Sequence, residues 1–196
     1  MATASDIWSI NPSTSSTYYR AAAAIGSAGS LTLLKNDAAV NGAGYLVSIT
    51  SDGNDVGLTF TITGIKVGDT ISGKTTTEDV TGPNTTTVTS TNYWAYVSSI
   101  SVSGTSVNNV SIGTSGSLAL PRTRLKAFYV VCGSSAGSLD ISINGSSSIF
   151  NISTPAGVTI TQDLILPGDG ILTARQQSDY SVVTATNLTD YTLFCG

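Results

Sequence analysis

The stretch Leu58 to Thr63, which reads L-T-F-T-I-T, constrains this chain more than any other. Leu58, Phe60 and Ile62 are apolar while Thr59, Thr61 and Thr63 are polar, so a period of two sends one row into a core and the other toward water. That is the pattern of a half-buried β-strand. Turn chemistry brackets it, with Asp52-Gly53-Asn54-Asp55 before and Gly64 after, because Gly and Asn supply the positive φ that tight turns need.

The same design recurs along the chain. Strands are expected at Ser30 to Leu34, Tyr45 to Thr50, Gly57 to Thr63, Thr75 to Thr81, Thr86 to Thr89, Tyr93 to Val102 and Val107 to Gly113. Their spacing of about ten residues is that of a β-sandwich or barrel. Gly82-Pro83-Asn84 and the region of Gly104 mark reversals. Ser and Thr make up 58 of the 196 residues, Gly adds 20 and Glu78 is the only glutamate, a balance that suppresses helix and favours strands and turns. An all-β fold follows.

Leu118-Ala119-Leu120-Pro121 reads as the close of a first unit, after which Arg122, Arg124 and Lys126 open a second strand series. That series is expected at Ala127 to Cys132, Ser138 to Ile143, Ser147 to Ser153, Thr159 to Leu166, Gly170 to Ala174, Tyr180 to Ala185 and Asp190 to Cys195, with a hairpin turn at Asp169-Gly170. The expected organisation is an N-terminal arm over residues 1–28, a β-sandwich or jelly-roll-like domain over 29–120 and a smaller antiparallel β-domain over 121–196. Within the arm, Asn11-Pro12-Ser13-Thr14 signals a turn, and Ala21 to Ala24 favour helix by propensity but are too few and are stopped by Gly26. Such a polar leader either orders against a partner or frays.

Eight basic residues against twelve acidic ones leave a net charge of -4 and no basic stripe, so a nucleic-acid partner is not expected. Charged residues are only 10% of the chain, which points to a surface rich in hydroxyls or covered by neighbours, and hence to an assembly. The start of the sequence carries no basic segment followed by an apolar run, and no run is long enough to span a bilayer, so neither secretion nor a membrane is expected. In a reducing compartment Cys132 and Cys195 read as two buried thiols, a disulfide being the alternative.

Three runs then resemble a known group. Ile49 to Gly64, Val80-Thr81-Gly82-Pro83-Asn84 and Val97 to Gly104 are similar to β-rich virion proteins of tailed bacteriophages, and Leu164 to Ile171 with the closing Leu193-Phe194-Cys195-Gly196 resembles another phage virion pattern. The resemblance implies a non-enzymatic structural component, of the kind that decorates capsids or builds tail appendages, and it brings no catalytic residues with it. The expectation is therefore a capsid decoration (cement) protein, made in the host cytoplasm and located in the virion. Its expected partners are the major capsid protein or other virion proteins, with a homotrimer suited to symmetry junctions. The alternative is a tail, fibre or neck module that binds a glycan or host receptor.

The residues themselves offer little chemistry. With no histidine in the chain, Ser-His-Asp and Cys-His nucleophile systems and histidine metal sites are excluded, and two distant cysteines do not make a zinc site. The close carboxylate pairs are Asp52 with Asp55, in a Gly-Asn turn, and Glu78 with Asp79, whose side chains point to opposite faces of a strand. Neither offers the convergence of a glycosidase pair. Asp52, Asn54 and Asp55 supply oxygen atoms but lack the distal bidentate Glu of a calcium loop. No enzyme activity, metal or cofactor is expected. The candidate contact residues are aromatic: Tyr18 and Tyr19 in the arm, and Tyr93, Trp94 and Tyr96, which read either as packing against core or subunit or as a sugar-stacking patch.

Overall fold

The computed structural model describes residues 8–10, 14–37, 42–70, 72–163, 171–172 and 179–196. Among them are fifteen strands, one turn of 3-10 helix at Val67–Asp69 and no α-helix. The strands are β1 (Trp8–Ile10), β2 (Arg20–Ile25), β3 (Gly29–Ser30), β4 (Gly44–Ser51), β5 (Thr59–Lys66), β6 (Thr75–Thr81), β7 (Thr87–Val102), β8 (Ser106–Leu120), β9 (Arg124–Cys132), β10 (Gly137–Ile143), β11 (Ser147–Thr154), β12 (Thr159–Asp163), β13 (Ile171–Leu172), β14 (Ser181–Thr186) and β15 (Leu188–Cys195). The chain is all-β and sandwich-like. The turn expected at Asn11-Pro12-Ser13 and the hairpin at Asp169-Gly170 lie outside the described residues.

The first compact unit is Thr14–Gly116. Its strands run in the order β6-β5-β7-β4-β8, with β2 against β8 and β3 against β7. β5 realises the alternation that opened the sequence: Phe60 and Ile62 are fully buried, while Thr59, Thr61 and Thr63 lie half-buried on the outward face. Val47, Ile49, Trp94, Val97, Ile100, Val110 and Ile112 complete this core. Gly64 is required where β5 meets β7, because a Cβ there would come within 2.1 Å of the Tyr96 carbonyl oxygen.

β7 organises this unit by changing partners along its length. Tyr45 faces Trp94 and Thr50 faces Thr87 across β4, whereas Lys66 faces Trp94 and Phe60 faces Val102 across β5. The sequence reading expects two strands here, Thr86 to Thr89 and Tyr93 to Val102, and the structure joins them through a bulge. Leu46 faces Tyr93 while Ser48 faces Thr89, so residues 90–92 have no partners on β4. Their polar groups are met by side chains instead. Ser90 Oγ accepts from the Val47 amide and donates to the Asn92 carbonyl, both at 2.9 Å, which keeps the bulge inside the strand.

The expectation of a separate arm over residues 1–28 needs correction. Residues 20–25 form β2, paired with β8, and Tyr19 is fully buried with its amide on the Ile112 carbonyl at 2.9 Å. Pairing overrides the helical preference of the alanines. β2 is irregular, and the Arg20 guanidinium takes up the difference by donating to the carbonyls of Ala23, Ala24 and Val110. β1 belongs to the other unit, where it pairs with β15.

That second unit holds Ser117–Gly196 together with β1. One sheet has the order β1-β15-β9-β12, with β13 also on β9. The other chain segments pair as β11-β10-β14, and β14 continues onto Leu118–Leu120 of β8. β9 alternates from Phe128 on, with Phe128, Val130 and Cys132 inward, while Leu125 is buried beyond a register shift against β15 at Phe194/Cys195; Phe128 meets Phe150 of β11 at 5.7 Å between ring centroids. The division between units falls inside β8, after Gly116, rather than at the expected 120/121 boundary. The physical reason is register: Leu118, Ala119 and Leu120 face Val183, Val182 and Ser181, so they belong with the strands that follow.

Candidate functional site

The five aromatic candidates separate by burial. Trp94 is 0% exposed, so its indole cannot offer a face to a sugar in the folded chain, and of the two readings of Tyr93, Trp94 and Tyr96 it takes the packing one. Tyr19 is equally buried and is a core residue rather than part of a contact arm. Its Oη and the Trp94 Nε1 have no hydrogen-bond partner among the described residues. Tyr18 is half-buried, its ring edge-on to Tyr19 at 5.2 Å and capped by Lys35 Nζ at 4.7 Å from the centroid. Tyr93 is half-buried opposite Leu46. Tyr96 alone of the five is classed as exposed, at 43%.

Register explains the surroundings of Tyr96. Residues directly opposed on antiparallel strands project from the same face of a sheet. Tyr96 is opposed by Asp37 on one side and by Ile65 of β5 on the other, and Ile65 is opposed in turn by Thr75 of β6. Asp37, Tyr96, Ile65 and Thr75 therefore form one outward row across adjacent segments. Asp37 is fixed there by its neighbour Asn36, whose carbonyl accepts from the Val97 amide at 2.6 Å and whose side-chain amide donates to the Val97 carbonyl at 2.8 Å. Sequence reading missed Asp37 and Ile65, since neither has an aromatic or periodic signal of its own and only the pairing brings them to Tyr96.

The carboxylates act as ties between segments. Asp55 is buried and accepts from Ser51 Oγ at 2.5 Å, Ser106 Oγ at 2.6 Å and Asn108 Nδ2 at 3.2 Å, joining the turn before β5 to β8. Burial by itself would raise its pKa, but the bonds from Ser106, Ser51 and Asn108 outweigh that and hold it below the usual carboxylate range. Asp52 accepts from the Asn109 amide and side chain, both at 2.8 Å. Glu78 accepts from the amides and side chains of Thr91 and Asn92 in the β7 bulge. Burial again pushes its pKa up, and these four bonds bring the net shift down. Asp79 accepts from Thr61 Oγ1 at 2.6 Å on the opposite face. Asp52 and Asp55 thus address different residues of β8, and no cluster of three His, Cys, Asp or Glu side chains able to hold a metal occurs among the described residues.

Both thiols are free and buried. Cys195 faces Leu125 near one end of β9 and Cys132 closes the other end, about 23 Å away at the ordinary rise of a strand, so the two cannot bridge. Burial pushes the Cys195 thiol up to about 12.

Comparison with protein-family models, curated proteins and solved structures finds no match to this chain.

Proposed function

We propose that this chain is a non-enzymatic structural protein of a tailed-phage virion, a decoration protein that binds the capsid exterior as a homo-oligomer, with a trimer as the form suited to symmetry junctions. The resemblance of the runs at 49–64, 80–84 and 97–104 to virion proteins supports the reading. The observation that carries its non-enzymatic side is the use of Asp52, Asp55 and Glu78 as acceptors joining strands, in a chain without histidine. A catalytic carboxylate must stay available to a substrate proton. These three are committed to amides and hydroxyls of their own fold. The partner in this reading is the major capsid protein, and multivalent contact supplies the stabilisation. A tail, fibre or neck module is the second reading, favoured by the outward ring of Tyr96.

The test is reconstitution. Purified chain is added to particles that lack it, and the particles are sedimented and heated. Saturable co-sedimentation, with a higher temperature of genome release, is the expected result. No co-sedimentation with any head preparation, or binding to isolated tails alone, would remove the decoration reading.

A further inference from the structure

We propose that the outward face of β5, β6 and β7 around Tyr96 is a binding site for a neutral oligosaccharide. The row Asp37, Tyr96, Ile65 and Thr75 crosses four adjacent segments, about 15 Å at the usual interstrand spacing, enough to underlie a short glycan. Its middle is apolar and its ends are polar. The Tyr96 ring and the half-buried Ile65 give a platform for the C–H face of a pyranose, while the Asp37 carboxylate accepts and the Thr75 hydroxyl donates at the rim. Beside this row Thr63 and Thr77 oppose one another, extending the same face with further hydroxyls.

Charge and size decide the class of ligand. Asp37 is the only charged residue of the row, so a polyanion is repelled there and one carboxylate does not make a site for a polycation. A hydroxyl-rich neutral ligand loses nothing. A second copy of the chain is the poorer fit, because the apolar part of the row is only Tyr96 and Ile65, whereas stable protein interfaces cover roughly 800 Å² on each partner. The face is also held in place before any ligand arrives. Trp94 and Val97 on β7 are fully buried, and Gly64 lets β5 approach the Tyr96 carbonyl closely.

The probe is a panel of gluco-, galacto-, manno- and N-acetylglucosamine tetramers, with sialylated and sulfated glycans as charged comparators, presented to the purified full chain. At least one neutral tetramer should bind, and Tyr96→Ala should weaken it by about tenfold or more, as loss of a central aromatic anchor does. Tyr96→Phe keeps the platform and should stay within about threefold, while Asp37→Asn should weaken binding by less than Tyr96→Ala does. Thermal melts of each variant exclude unfolding as the cause. No binding of any neutral tetramer, preference for the charged comparators, or affinity unmoved by Tyr96→Ala would overturn the proposal. So would loss of self-association in Tyr96→Ala without glycan binding in the parent, which would make the face a contact between copies. None of these readouts uses a particle, so the outcome is independent of the virion reading.

Discussion

Glu78 grips Asn92 at two points, its Oε2 accepting from the Asn92 amide at 3.2 Å and from the Asn92 side-chain Nδ2 at 2.8 Å. Its Oε1 takes the Thr91 amide and hydroxyl, so one carboxylate accepts two of the backbone amides in the β7 bulge that has no register partner on β4. Glu78→Gln puts a donor where donors already point, and should cost about 1–3 kcal/mol of folding stability. The urea midpoint should fall with an unchanged slope. A shift equivalent to less than about 0.5 kcal/mol, the range of an ordinary surface change, would show that the tie is not needed.

The acid limb of stability follows from Asp55 and Glu78. Both have folded pKa values below their unfolded ones, so the unfolded chain binds protons first as pH falls. The stabilisation they give is complete above the unfolded carboxylate values of about 4 and is lost as pH drops through the folded values. Melting temperature should therefore be flat from neutral to about pH 5 and fall below it. Asp55→Asn should be less stable at neutral pH and should fall less steeply in acid, and a slope equal to that of the parent would assign the acid limb elsewhere.

Tyr19→Phe removes a buried hydroxyl that has no partner among the described residues, while keeping the ring in the core. An unpaired buried donor is a cost, so the variant should be as stable as the parent or more stable by up to about 1–3 kcal/mol. A loss of stability in chemical denaturation would mean that the hydroxyl is bonded.

The buried thiols should be silent in the native protein. A thiol reagent at mild alkaline pH should label neither Cys132 nor Cys195 until denaturant is added, and then label both without prior reduction. A requirement for reductant would indicate a disulfide and contradict the register of β9 and β15.

The strands were legible because their signal is local. Alternation in Leu58 to Thr63 and the runs at 75–81, 138–143 and 147–153 correspond to β5, β6, β10 and β11 within a few residues. What escaped depends on pairing between distant residues. Ala21 to Ala24 read as ambiguous because alanine prefers helix, and only β8 makes them a strand. The bulge at 90–92 reads as a gap between strands, since nothing nearby reveals that Glu78 fills it. Trp94 and Tyr96 read alike as packing or as a sugar-stacking patch because large residues occupy both parities from Tyr93 to Val97, and the register that buries Trp94 while exposing Tyr96 is set by β4 and β5. The role of the carboxylates as ties between segments was not readable, because their partners lie far away in the chain.

The number of copies of this chain per purified particle, counted by quantitative mass spectrometry against the major shell protein, tests the central claim most directly. Capsid decoration requires a copy number comparable to that of the shell protein. A handful of copies per particle would place the chain in the tail or neck, and its absence from the particle would contradict the virion assignment altogether.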